Sequence, residues 1–140
     1  MQNEEIIHGS CVALDGRAVL ILGASGAGKS GLALDLMAYG ATLVADDRVV
    51  LRRQADKVIA SAPEPIRGRI EARFVGILNA DVVVEAEVAL IVDLDQAEGD
   101  RLPPHRSKNW LGISLPLLHN SGNSSFPAAI LQYLRAGRSD

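Results

Sequence analysis

The sequence contains a single cysteine, Cys11, so no disulfide can close within one chain, and a reducing compartment is the expectation. It lacks any apolar run near the ~20 residues that a membrane-crossing helix needs, because charges interrupt every stretch. Its start, Met1-Gln2-Asn3-Glu4-Glu5, has none of the basic-then-apolar order of a secretory signal. A cytoplasmic protein with no membrane contact of its own is therefore expected. An excess of positive charge is missing too. A net charge of -3 and a pI near 5.6 give little electrostatic reason to expect a nucleic-acid partner. There is no internal repeat, low-complexity tract or linker, and 140 residues suit one domain, spanning 1–140, with one sizeable core.

What is present is the balance of a folded chain, 48% hydrophobic and 22% charged. The charges are unevenly spread. Seven of the 14 basic residues (Arg48, Arg52, Arg53, Lys57, Arg67, Arg69, Arg73) fall in one stretch, whereas Asp81 to Asp100 holds seven acids and no base. Part of the basic stretch could face an anion; a solvated surface of strand edges and loops is the plainer reading.

Local patterns alternate between strand and helix. Ser10 to Leu22 reads as two strands around Asp15-Gly16, a dipeptide that favours a hairpin turn. Beyond a glycine-rich stretch, Leu32, Leu36 and Met37 share one helical face and Gly40 suits a left-handed C-terminal cap, which predicts a helix over about 28–39. Thr42 to Ala45, Val49 to Leu51 and Lys57 to Ser61 read as short strands, and Pro63 and Pro65 break regular structure. Val82 to Val92 reads as a strand ending before Asp93 and Asp95. Gly99 to Ser125, with Pro103, Pro104 and Pro116, is expected to be loop around one brief strand. Ser125 suits the N-cap of a final helix with Ile130, Leu131 and Leu134 on one side.

Between the second strand and the first helix lies Gly23-Ala24-Ser25-Gly26-Ala27-Gly28-Lys29-Ser30, which fits G-x-x-x-x-G-K-[ST] in the strand-to-helix setting that motif requires. Its glycines let successive backbone N–H groups turn inward around a phosphate, with the positive end of the helix dipole behind them. Lys29 supplies a point charge for the outer phosphates, and the Ser30 hydroxyl suits magnesium. A nucleotide triphosphate with Mg2+ is the ligand that these residue types imply.

Such chemistry also needs a carboxylate to hold the metal or take a proton. Asp46-Asp47 follows the strand after the loop's helix, and Asp93 and Asp95 follow the apolar run Ala89 to Val92. Spacing alone leaves both open. Adjacent aspartates at a strand end face different ways, so one can act on a hydroxyl while the other meets the metal or an arginine, which favours Asp46 as a kinase site.

At Ile7-His8-Gly9, the glycine-rich loop and Leu43-Val44-Ala45-Asp46-Asp47-Arg48, the sequence resembles HPr kinase/phosphorylase, in its C-terminal catalytic domain and in the short form without the N-terminal domain. Ile70-Glu71-Ala72-Arg73-Phe74-Val75-Gly76-Ile77 is similar to the family signature I/L-E-x-R-G-x-G-I, with Phe74 where glycine is usual. Arg101-Leu102-Pro103, then Leu111-Gly112-Ile113 and Leu115-Pro116, resembles the family's arginine loop and the stretch after it. The resemblance implies an α/β fold, a P-loop-containing kinase domain with a mixed β-sheet, distantly like phosphoenolpyruvate carboxykinases. It implies ATP-dependent phosphorylation of a serine on HPr or a related phosphocarrier, and phosphorolysis of the phosphoserine by phosphate with pyrophosphate as product.

The site residues follow from the same resemblance. Asp46 accepts the serine proton and returns one in reverse, Asp47 and Arg73 order the site, and Ser30 and Glu71 hold Mg2+. Lys29 binds the transferred phosphates, Arg101 stabilises charge in phosphorolysis, and His8 lies beside the loop, although a lone histidine near a strand is more often structural. A hexamer is implied as well. Two other readings compete: a non-catalytic module that senses nucleotide or phosphate, and a small-molecule kinase with the basic stretch as its acceptor pocket.

Overall fold

The computed structural model describes residues 3–140. Three strands open the chain, β1 (Glu4–His8), β2 (Ser10–Leu14) and β3 (Arg17–Leu22), the last two joined by the expected Asp15-Gly16 hairpin turn. Along β3 the side chains alternate between two cores. Ala18 and Leu20 enter one and Val19 and Ile21 the other, all four fully buried, so both faces of the sheet are covered.

After the glycine-rich loop comes helix α1 (Lys29–Ala38), which buries Leu32, Ala33 and Leu36 against the sheet. It stops where expected. Gly40 takes φ 111°, and the Gly40 and Ala41 N–H groups return to the Met37 and Leu36 carbonyls at 3.1 and 3.0 Å. Strands β4 (Thr42–Ala45), β5 (Arg48–Gln54) and β6 (Lys57–Ser61) follow, then a single 3-10 turn at Glu64–Ile66. The remaining elements are the hairpin β7 (Arg69–Ala72) and β8 (Gly76–Asn79), the long strand β9 (Glu85–Ala97), β10 (Arg106–Trp110), β11 (Ile113–Asn120) and α2 (Phe126–Ala136).

The main sheet runs β1-β5-β6-β9-β3-β2-β4 and is mixed, because β9 lies parallel to β3 and antiparallel to β6. One edge of β9 is shared: its start pairs with β6 and its later part, from Ile91, pairs in parallel with β11. Opposite β3 a bulge skips Ala89, so the buried parity of β9 changes from Val88 to Ile91 within one core. Helices α1 and α2 cover one face through Leu36, Ile130, Leu131 and Leu134. On the other face the sheet packs on itself through Leu51, Val58, Leu115 and Cys11, whose thiol is pushed far above its ordinary range by complete burial. Among the described residues no helix is long and apolar enough to cross a membrane.

Two elements differ from expectation. The 99–125 segment holds a full hairpin and not one brief strand, with the tight turn at Leu111 (φ 51°) and Gly112 (φ 83°). A leucine at the first left-handed position hides the turn, and Pro116 reads as a breaker although it lies before the pairing with β9 begins at Leu117. The valine-rich strand starts at Glu85 and runs on through Asp93 and Asp95, while Val82 bridges Leu43 in parallel instead.

The basic stretch divides accordingly. Arg52 pairs with Glu85 at 2.7 Å and Lys57 with Glu87 at 3.6 Å across the sheet, and Arg53 donates to the Ala55 and Leu111 carbonyls. Arg67, Arg69 and Arg73 are exposed and enter no ion pair among the described residues.

Candidate phosphate-binding site

Strand β3 ends at Leu22 and the chain passes into the loop 23–28, where Gly26 and Gly28 take φ 84° and 101°, conformations that a side chain resists. Close packing constrains Gly23, since a Cβ there would come within 3.0 Å of the Ala27 Cβ and 3.3 Å of the Leu94 Cβ. From the neighbouring strand β9 the Asp95 carboxylate accepts the Ala24 N–H at 2.9 and 3.0 Å, fixing the first turn of the loop. No side chain caps α1 and no acid sits in its first turn, which leaves the leading N–H groups of the helix available to an anion. Lys29 folds back over the loop and donates to the Gly23 and Ala24 carbonyls at 2.8 and 3.1 Å.

Four elements converge on Asp46, which directly follows β4 and is 6% exposed. Its Oδ1 accepts the Ser30 hydroxyl from α1 and the Ser10 hydroxyl from β2, each at 2.7 Å, and its Oδ2 accepts the Glu71 N–H from β7 at 3.0 Å. The sheet register makes this possible. Cys11 pairs with Ala45, so Ser10 and Asp46 each lie one residue beyond that pair at the same end of the sheet. Three donors on one carboxylate match the acceptor-only chemistry of its ionised form.

Asp47 is different in every respect. It is exposed, makes no side-chain hydrogen bond or ion pair among the described residues, and sits at φ 71° in a three-residue turn closed by the Arg48 N–H on the Asp46 carbonyl at 2.8 Å. Such a turn is rare and strained for a non-glycine residue, with a cost of about 1–3 kcal/mol.

Lys29, Ser30, Asp46, Asp47, Glu71 and Arg73 border one open cleft of about 640 Å³, together with Gly26 and Gly28 of the loop. Its other wall is apolar, formed by Leu34, Ile66, Ile70 and Ile77. Gly23, Ala24 and Ala27 form the back of the loop and do not border the cleft. His8 and Arg101 do not border it either. His8 is exposed at the end of β1, and the next peptide, through the Gly9 N–H, bonds the Asp47 carbonyl at 3.2 Å. Arg101 is exposed on the loop after β9, whose base is clamped by Arg106 on Glu98 at 3.0 Å; that hydrogen bond holds the Glu98 carboxyl below its usual range.

The two carboxylate pairs left open by spacing have separate jobs here: Asp46 meets Ser30, whereas Asp95 holds the loop's backbone. Ser10 went unread because a single hydroxyl in the otherwise apolar run Ser10 to Leu14 has no pattern to mark it. Fully buried and bonded to a carboxylate, it should matter for stability. Ser10→Ala should lower the unfolding free energy by about 1.5–3 kcal/mol, the range for a hydrogen bond to a charged group, as read from urea denaturation.

Among the described residues no cluster of three or more His, Cys, Asp or Glu side chains could cage a metal. The donor set fits magnesium nonetheless, because that ion prefers a hydroxyl, one or two carboxylates, water and phosphate oxygens to an all-protein cage. Ser30 and Asp46, in contact, and the Glu71 carboxylate bordering the same cleft are hard oxygen donors of that kind.

This geometry defines an α/β protein with a glycine-rich strand-to-helix loop and a carboxylate set against it. Comparison with known proteins narrows the class: the family model described as HPr Serine kinase C-terminal domain matches residues 1–116, and the chain belongs to that family. An HPr kinase/phosphorylase of Geobacillus thermodenitrificans is 39% identical over 125 residues, 80% of this chain and 40% of that protein. One from Caldicellulosiruptor bescii is 40% identical over 124 residues, 79% of this chain and 40% of its own. The solved structure of the Hpr(Ser) kinase/phosphatase from Coxiella burnetii superposes with a TM-score of 0.78 at 27% identity, covering 94% of each chain. The chain thus spans about 40% of the length of these curated relatives.

Proposed function

We propose that the chain is an ATP-dependent protein serine kinase acting on HPr or a related phosphocarrier, and that it also catalyses phosphorolysis of the phosphoserine. The observation that carries this reading is the exposed Asp47 carboxylate beside the Lys29-Ser30 loop end in one cleft wide enough for a nucleotide. The names of the relatives, kinase/phosphorylase and kinase/phosphatase, agree with it.

In this reading the loop amides and Lys29 hold the phosphates of ATP, the ammonium leaving the Gly23 and Ala24 carbonyls for the more strongly charged oxygens. Mg2+ would be held by Ser30 and Glu71, with Asp46 orienting the Ser30 hydroxyl, and it supplies charge neutralisation on the transferred phosphoryl group. The serine oxygen attacks the terminal phosphorus as the bond to ADP breaks. The resemblance gives the serine proton to Asp46. The hydrogen bonds on Asp46 favour its neighbour, because three donors already occupy that carboxylate while Asp47 is free and open to the cleft. In the reverse direction phosphate attacks the phosphoserine, the serine oxygen takes back the proton, and pyrophosphate leaves.

Arg73, at the cleft, offsets charge on the moving phosphoryl group, and Arg101 acts in phosphorolysis from a loop at the same end of the sheet. His8 supports the Asp47 turn from β1. A cytoplasmic homo-oligomer, a hexamer by resemblance, completes the reading.

Incubation with ATP, Mg2+ and purified HPr should add one phosphate to a single HPr serine by intact-mass measurement, and inorganic phosphate should then remove it with release of pyrophosphate. Unmodified HPr in the first step would contradict the reading.

A further inference from the structure

The β7–β8 hairpin has one side that the fold explains and one that it does not. Ile70 and Ala72 are buried against the body of the protein, whereas Phe74 is 100% exposed, Val75 74% and Ile77 65%. The turn is closed by the Val75 N–H on the Ala72 carbonyl at 2.9 Å, with Phe74 at its third position and φ 69°. That position favours glycine, so an aromatic side chain there carries backbone strain and gains no burial in return. Arg73 precedes Phe74 in the turn, while Arg69, opposite Asn79, and Arg67 lie toward the other end of the hairpin; among the described residues none of the three enters an ion pair, and the cleft-bordering Glu71 is the one acid on the two strands. Arg69, Arg73 and Ile77 also border the cleft, so this tip is continuous with the rim of the candidate active site.

We propose that the tip of this hairpin is the docking surface for the acceptor protein, with Phe74 as its apolar anchor and the arginines as its charged rim. The inference rests on the kinase reading above. Arg73 and Ile77 border the same cleft as Asp47, so a folded protein that brings its hydroxyl to Asp47 over this rim meets the hairpin with its surface. The matching partner surface is an apolar patch edged with carboxylates next to the acceptor serine. A second copy of this chain is a poor occupant, because a two-fold contact through the tip would bring like-charged guanidinium groups together.

The test is steady-state phosphorylation of purified HPr by the 140-residue chain and by Phe74→Gly combined with Val75→Ser. Glycine adopts φ 69° without penalty, so the variant keeps its fold. The KM for HPr should rise about tenfold or more, as for truncation of an aromatic interface anchor, with the KM for ATP and the kcat at saturating HPr within about twofold. Arg69→Glu, on the same hairpin and at the cleft rim, should raise the KM for HPr as well and weaken its dependence on salt. An unchanged KM for HPr in the double variant overturns the proposal while leaving the kinase reading intact. So does a fall in kcat at unchanged KM. A smaller assembly by sedimentation, without a change in KM, would make the tip a contact between copies and overturn it too. Wild-type chain that transfers nothing to HPr refutes the kinase reading itself, and the docking surface falls with it.

Discussion

Asp47→Asn is expected to lower kcat for phosphoserine formation by about 10²–10⁴, the usual range for general acid–base assistance, with the KM for ATP changed only a few-fold. The substitution keeps shape and removes the free carboxylate, so circular dichroism and thermal melting should be unaffected. Asp46→Asn is expected to act elsewhere. It replaces an acceptor of three donors by a side chain that is half donor, and so it should weaken magnesium-dependent ATP binding and lower stability together. A second variant separates the roles further. Asp47→Gly relieves the φ 71° strain, so it should raise the unfolding free energy by about 1 kcal/mol while turnover is lost. A gain in stability with a loss of activity is the signature of a residue held in place for chemistry. Turnover kept in Asp47→Asn and lost in Asp46→Asn, with ATP binding intact in both, would return the proton to Asp46.

Lys29→Met should reduce kcat/KM by on the order of 10²–10³ or more, the effect of removing one group that stabilises charge on the transferred phosphoryl. Methionine has similar length and no charge. The carbonyls of Gly23 and Ala24 lose their donor, but the Ala24 bond is exposed and the Gly23 bond only part-buried, so water can replace it. The expected pattern is therefore a large kinetic defect with a melting temperature close to the parent. A variant that has lost its fold as well as its turnover would point to a structural role for the ammonium group.

How much of this was legible in the sequence depends on whether a feature is carried by neighbours along the chain or across it. The glycine-rich loop, α1 and the Asp15-Gly16 hairpin are local, each fixed by residue types within a few positions, and the structure has them where the pattern puts them. The β10–β11 hairpin is local too, yet Leu111 stands where a turn signal needs glycine or asparagine, so pattern reading passes over it. Ser10 and Asp46 meet only because the pairing of β2 with β4 brings them to one end of the sheet, and Glu71 joins them from the separate β7–β8 hairpin; no spacing in the sequence expresses that.

The Asp46-Asp47 pair shows the same limit at single-residue scale. That the two carboxylates diverge follows from strand geometry alone. Which of them is buried and bonded, and which is open, follows from the Ser10 and Ser30 hydroxyls and from the turn at Asp47. Phe74 is the converse case. Glycine is usual at that place in the family signature, and the chain adopts φ 69° there, a conformation that a side chain resists, with the ring wholly in solvent.

The central claim is that residues 23–30 enclose the phosphates of ATP with magnesium at Ser30. Calorimetric titration of the chain with ATP, in the presence and absence of Mg2+, tests it most directly. The expected result is one saturable site per chain, markedly weaker without Mg2+ and lost in Lys29→Met. Absence of saturable binding, or binding that Lys29→Met and removal of Mg2+ leave unchanged, would contradict it.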